Sequence, residues 1–581
     1  IIMPKNVMKL LKPSPHRARN DFDLSHRHVM SANFGELIPA TCIETVPGDH
    51  IEIKVADLLR AIPLVTSPFL RAKQHLEAWF VPYRDLWHNF DNFITQRTQP
   101  VSSALQGSQF LPHASLDKLY ASLDDAGEPY NTDVVGLNIR KTGVRLLNYL
   151  GYADSAHPSS ETEYASVNLM RLAAYNYIWY NEYRQQYYDE GLNSISLSPT
   201  TPNASYLFNF DDLACNTEEN AFISDEDRIR PMCQMRYRCW KKDLFTGLMP
   251  STQFGSVSMV FSPFGAGLAV ANFYDEVYPS GKDVGTGASG RLMVYEGGSP
   301  SSALWFKSSN VNELQGGVNA YNYSTTDILA LRKAEAVQIW RENALRAGNR
   351  TADNMKAHYG VESDFRDHRP TFLGATSSPL NIGDVMTTAN STEGVNNTVG
   401  DIAGKGLSSA DDFLCKFDAK DFGVIMVMFS ILPEAEYNAY GIDRMNQLLE
   451  KEDFFTPEYE NLGLEAVSSQ NFVAKRPSLS HVMGYAPRYY GYKTKLDKCY
   501  DVFMTGGINA PWCSPKYDVS QKVVEATTGL MPLSLLYVNP RIFDVNFAVS
   551  TPEDVPQFLC DFYFDVDAVR PMSVVGLPFN G

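Results

Sequence analysis

A β-sandwich with long helix- and loop-containing insertions is the fold predicted by this 581-residue sequence. Three observations carry the prediction. Strand-like alternation occupies both ends of the chain, and helical periodicity and Gly/Ser-rich stretches lie between them. The 38 Gly and 33 Pro, with 31 Tyr and 32 Phe, favour many short strands joined by turns. A content of 44% hydrophobic residues is enough for a large core.

Residues 1–30 carry Lys5, Lys9, Lys12, Arg17, Arg19 and Arg27 against Asp21 and Asp23, a net of +4 on a chain whose total is −17. Pro13 and Pro15 prevent a continuous helix there. The segment therefore reads as a flexible basic arm on an acidic body, and 31–581 reads as one domain with insertions. From Ile51 the alternation Ile51, Ile53, Val55 against Glu52 and Lys54 marks a half-buried strand, entered through the turn Pro47-Gly48-Asp49. Residues 75–83 read as a second strand, with Leu76, Ala78 and Phe80 on one face and Trp79 and Val81 on the other. A short aromatic helix over 84–97 follows.

Residues 100–165 are loop-like, with one short helix between Val134 and Gly151. Asn168 to Glu190 reads as a helix stopped by Gly191. Asp327 to Ala347 reads as another, with Leu329, Ala336, Ile339, Trp340 and Ala344 as its inner face. A third runs from Thr351 to Tyr359 and is closed by Gly360. Two stretches, 255–323 and 374–411, read as irregular. Strand patterns return at Val424–Leu432, Tyr485–Tyr492, Ile542–Ser550 and Gln557–Val566. The longest apolar run, Phe422 to Leu432, has 11 residues, whereas crossing a bilayer takes about 20. It is expected to be a buried strand, and no membrane insertion is expected. No secretory signal is evident. The eight cysteines include no C-x-x-C pair and read as reduced core or interface thiols.

Few patterns suggest chemistry. Gly285, Gly287 and Gly290 spell G-x-G-x-x-G, but a dinucleotide site needs that turn between a strand and a helix, and the residues after it read as a strand. The stretch containing Gly281, Lys282, Asp283, Gly285, Gly287 and Gly290 is expected to be a surface loop. His26 and His28 lack a second ligand cluster, so a structural or polar-interface role is expected. Asp124-Asp125, Asp211-Asp212 and Asp411-Asp412 sit in polar segments as turn or cap residues, and no G-x-S-x-G occurs. No enzyme activity, cofactor or metal is predicted. The basic arm is the one local binding signal, because Lys5, Lys9, Lys12, Arg17 and Arg19 can neutralise phosphates without reading sequence.

Several blocks, in order, resemble one family. They are Phe22–Val55, Phe69–Ile94, the helix core IWYNEYR within Asn168–Gly191 (with an extra Tyr180), Arg230–Pro250, and LRKAEAVQIW, AHYGV and RPTFLG within Leu331–Gly374. FGVIMVMFSILPEAEYNAYGIDRM, FFTPEYENLGLEAV, MGYAPRYYGYKTK and the terminal DAVRPMSVVGLP follow. This collinear set resembles the major capsid proteins of the Microviridae, in their gokushovirus branch. The resemblance implies an eight-stranded antiparallel jelly roll, a T=1 icosahedral shell of copies of the chain, and an enclosed circular single-stranded DNA. It also implies a small basic DNA-packaging protein as partner and a surface protrusion, for which 255–323 is the candidate, that meets a host receptor. Virion location and assembly in the host cytoplasm follow from the same likeness. The rival reading is a secreted carbohydrate-active or carbohydrate-binding β-sandwich. The enzyme form would need a secretory signal and a convergent carboxylate pair, and the binding form leaves the collinear blocks unexplained.

Overall fold

A computed structural model of the chain describes residues 19–87, 90–95, 111–124, 133–152, 166–185, 187–188, 229–253, 283–286, 292–295, 304–305, 328–347, 351–361, 369–386, 402–473, 482–513, 533–549, 552 and 554–574. Ten strands build the main sandwich: β1 Asn20–Asp23, β2 His26–Ala32, β3 Glu36–Thr45, β4 His50–Ala61, β5 Ala72–Pro82, β6 Thr371–Pro379, β7 Asn381–Met386, β8 Ile402–Asp418, β9 Gly423–Pro433 and β10 Phe558–Arg570. One sheet has the order β1-β10-β4-β8-β7, with β2 also on β10; the other has β6-β5-β9-β3, extended by Arg236–Tyr237. All these pairings are antiparallel. Thus β2-β10-β4-β8 faces β3-β9-β5-β6, and the chain changes sheets at almost every step. That is the eight-stranded jelly roll the resemblance implied.

The two-residue period explains the core. In β4 and β10 the pairs Ile53–Val566, Val55–Phe564, Asp57–Phe562 and Leu59–Cys560 are buried, while the alternate residues face away. In the other sheet Ile425–Phe80, Val427–Ala78 and Phe429–Leu76 face inward. Phe429 meets Phe562 of the opposite sheet edge-on at 4.9 Å. At one margin β6 and β8 carry facing bulges, and a Cβ on Gly374 would stand 2.1 Å from the Leu414 carbonyl oxygen. Only glycine permits that backbone approach. Thr376 donates to Asp412 across the same margin at 2.8 Å.

The helices follow their signals only in part: Leu116–Asp124 is helical inside a stretch read as loop-like, the helix expected over 84–97 is two short pieces, Tyr83–Leu86 and Phe90–Thr95, and the one expected to reach Glu190 ends at Tyr183. Helix α1 spans Leu116–Asp124, and α2 spans Ile139–Tyr149 with the Asn138 side chain accepting from the Lys141 N–H. Helix α3, Met170–Ile178, runs into a π turn at Trp179–Tyr183, where Arg184 N–H donates five residues back to the Trp179 carbonyl. One inserted residue converts an α turn into a π turn, which absorbs the extra Tyr180. Helix α4 is Ile328–Ala347, and α5, Thr351–Tyr359, ends at Gly360 with φ +68°. Gly191 lies outside the described residues.

Four expectations need correction. The strand expected at Ile542–Ser550 is absent from its described residues, 542–549: Asn539 caps a short 3-10 turn at Pro540–Phe543, and proline starts turns better than it joins ladders. The strand expected at Tyr485–Tyr492 instead spans Val482–Pro487 and gives way to a helical turn at Tyr490. Much of 374–411 is strand, in β6, β7 and β8; the Gly, Ser and Thr there are inconspicuous in sequence but satisfied by pairing. Residues 20–30, assigned to the arm, form β1 and most of β2 on β10.

The chain divides into two compact units, Ile1–Thr252 with Gly348–Gly581, and Gln253–Ala347. The second contains α4 and a three-stranded antiparallel sheet of Asp283–Thr286, Leu292–Tyr295 and Leu304–Trp305. In α4, Ala344 of the expected inner face is buried, but Ile339 and Trp340 are more than half exposed.

Candidate functional site

The described residues bring together no catalytic constellation. What the sandwich offers is surface, and its two sheets differ. The outer side of the β9 sheet is covered. Trp79 and Glu77 point outward from β5, and the Trp79 indole N–H donates to the Tyr183 hydroxyl at 2.8 Å, which in turn donates to Glu77. Arg238 bridges Glu77 and Ser430, each at 2.9 Å. The Tyr175 hydroxyl donates to the Leu37 carbonyl at 2.8 Å and accepts from the Arg236 N–H at 2.8 Å. Every residue of β9 except Leu432 is buried as a result.

Beside this cover lies a buried charge cluster. Glu36 pairs with Arg145 and also accepts from Asn33. Asp133 accepts from Tyr237 at 2.7 Å and from two backbone N–H groups, yet burial outweighs these bonds and pushes its carboxyl up to about 7. These polar groups fix the insertion on the sheet at one register.

The outer side of the β10 sheet is open in the single chain. Val29 is 70% exposed, Leu559 56%, Phe413 55% and Tyr563 49%. Charges lie among them: Arg27 is paired with Asp561 at 2.6 Å, and Lys54 lies 3.5 Å from Glu52 and 4.0 Å from Asp565. The paired Arg27 holds the Asp561 carboxyl below its usual range. Acidic groups at least match basic ones here, so this face is not a phosphate surface. More apolar side chains stand out of the β9–β10 connection, among them Leu449, Phe454, Leu462, Tyr500 and Ile508. Exposed apolar groups in that number fit subunit contacts.

The candidate residues fall unevenly on this structure. Arg19 is exposed at the start of β1, near Asp418, whose carboxyl is lowered chiefly by its hydrogen bond to His50 and slightly by Arg19. Lys5, Lys9, Lys12 and Arg17 lie outside the described residues, as do Gly281, Lys282, Gly287 and Gly290. Asp283 and Gly285 lie on the first strand of the small sheet, with Gly285 paired to Met293, so the glycine motif enters a hairpin and not a helix. His26 and His28 face inward from β2. His26 is hydrogen-bonded to Thr41 and to the Leu24 carbonyl, and His28 to the Ala40 carbonyl, each at 2.8 Å. They tie one sheet to the other, the structural role expected of them. The seven described cysteines form no disulfide, and burial pushes the Cys233 and Cys415 thiols up to about 12.

A jelly roll with exposed apolar side chains and an elaborated connection fits a structural protein that contacts other subunits. Comparison with known proteins agrees. A model of the family described as capsid protein (F protein) matches residues 12–579, and the chain belongs to that family. It is 25% identical to the capsid protein VP1 of Chlamydia phage 1, over 97% of this chain and 96% of that protein. It is 24% identical to the capsid protein VP1 of Bdellovibrio phage phiMH2K, with coverage of 97% and 96%. It is 20% identical to the capsid protein VP1 of Spiroplasma virus 4, with coverage of 97% and 95%. These are microviruses, as the sequence resemblance indicated, and a structural capsid role in a virion follows.

Proposed function

We propose that copies of this chain close into a T=1 icosahedral shell around circular single-stranded DNA. The reading rests on the jelly-roll strand order combined with a capsid-family match along nearly the whole chain. In it, the basic arm with Lys5, Lys9, Lys12, Arg17 and Arg19 lines the interior beside a small basic packaging protein. The segment 255–323, with Gly281, Lys282, Asp283, Gly285, Gly287 and Gly290, faces outward and meets the host receptor. Assembly takes place in the host cytoplasm, without membrane insertion. The division of the chain at Gln253–Ala347 supports treating that segment as a body apart from the sandwich.

Electron microscopy of the purified chain and of particles from infected cells tests the assembly. Uniform icosahedral particles are expected, and a persistent monomer in both samples would overturn it. Neutralising the five arm charges should lower packaged DNA and leave shells intact, since phosphate neutralisation is the arm's contribution. Unchanged DNA content would remove the interior-arm assignment.

A further inference from the structure

The long connection between β9 and β10 gathers a three-residue donor set. The Glu436 carboxylate and the Cys499 and Cys513 thiols lie with their ligand atoms all within 4.8 Å of one another. The Cys499 Sγ is 3.3 Å from a Glu436 carboxylate oxygen. These residues come from three places in the chain that two separate contacts hold. A parallel two-strand pair, Tyr437–Asn438 with Lys498–Cys499, sets Glu436 beside Cys499. Cys513 closes the 3-10 turn Ala510–Trp512, and its carbonyl accepts from the buried Asn546 side chain at 3.0 Å. The Phe69 N–H and the Thr66 hydroxyl donate to the Trp512 and Pro511 carbonyls, at 2.7 and 2.9 Å, anchoring the same turn to the sandwich.

We propose that Glu436, Cys499 and Cys513 bind a thiophilic divalent cation, zinc by preference, with a water in the fourth position. Two sulfurs and one oxygen at this separation suit a tetrahedral ion with bonds of about 2.3 Å to sulfur and about 2.0 Å to oxygen. Thiolate ligands select zinc over the oxygen-seeking calcium and magnesium. Binding releases the two thiol protons, so affinity falls as pH falls. The ion's effect is mechanical: it pins Glu436, Cys499 and Cys513, 63 and 14 positions apart, across a connection whose described regular elements are short strands, single α-helical turns and 3-10 turns. Such spacing contains no short motif, which hid the site from the sequence.

The test uses the full chain, reduced and stripped with a chelator, then titrated with cobalt(II) without air. One equivalent should produce a thiolate-to-cobalt charge-transfer band, which added zinc(II) abolishes. Cys499→Ser and Cys513→Ser should each remove most of the band, whereas Cys42→Ser, on β3, should keep it. A folded wild-type chain that gives no band overturns the proposal whatever the variants do. So does a band that survives Cys499→Ser, or peptide mapping of the native protein that finds Cys499 and Cys513 joined as a disulfide.

Discussion

The two sheets of the sandwich have the same inward chemistry and opposite outward chemistry. Trp79 on β5 and Tyr563 on β10 both point away from the shared core, yet Trp79 is 8% exposed and Tyr563 49%. The insertion carrying α3 lies on the first, and in the single chain nothing described covers the second. The outward residues Val424, Met426 and Met428 of β9 are apolar, whereas those of β10 include Asp561 and Asp565, and the chain returns over the apolar side. A covered sheet gains stability from its own chain, whereas an open sheet keeps its outward residues available for another molecule.

That contrast can be broken at several points. Trp79→Ala should cost about 3–5 kcal/mol, because a buried aromatic and its bond to Tyr183 are both lost. Denaturant unfolding of the unassembled chain measures it. Glu36→Ala should cost nearly as much, about 3–5 kcal/mol, by leaving Arg145 buried without its partner. Its counterpart on the open sheet, Asp561→Ala, should leave the unfolding midpoint within error, since Arg27 remains hydrated. A large loss there would mean that the open sheet is covered after all.

Asp133 sharpens the comparison through pH. Its folded value of about 7 lies above that of an unfolded aspartate, so the stability it contributes is full below about pH 4 and is lost as pH rises through about 7. Asp133→Asn keeps an acceptor for the Val135 and Leu137 N–H groups and a donor towards Tyr237. It should therefore flatten the stability profile between about pH 4 and 7. An unchanged slope would show that another group sets it. The smallest effect is expected for Tyr563→Ala, within about 0.5 kcal/mol in the unassembled chain.

Much of the sandwich is legible in the amino-acid pattern. Strands β4, β5, β9 and β10 declare themselves through period-two alternation or an unbroken apolar run, and α5 through its closing glycine. Strands β6, β7 and β8 do not, because Gly, Ser and Thr carry little alternation, and their backbone is satisfied only by partners far away in sequence. The basic arm is legible as charge, but its end is not, since Asn20–Asp23 becomes a strand only when β10 arrives from the other end of the chain. The donor set of Glu436, Cys499 and Cys513 is invisible for the same reason.

By itself, then, the sequence determined which strands alternate, where α4 and α5 lie, that the N-terminus is basic, and through collinear blocks, which family the chain joins. Those properties depend on neighbours a few residues away or on likeness along the chain. Only the tertiary structure decided which segment covers the β9 sheet, that burial raises the Asp133 carboxyl to about 7, and that two cysteines and a glutamate meet. Burial and proximity are set by residues tens to hundreds of positions apart, and no local pattern encodes them.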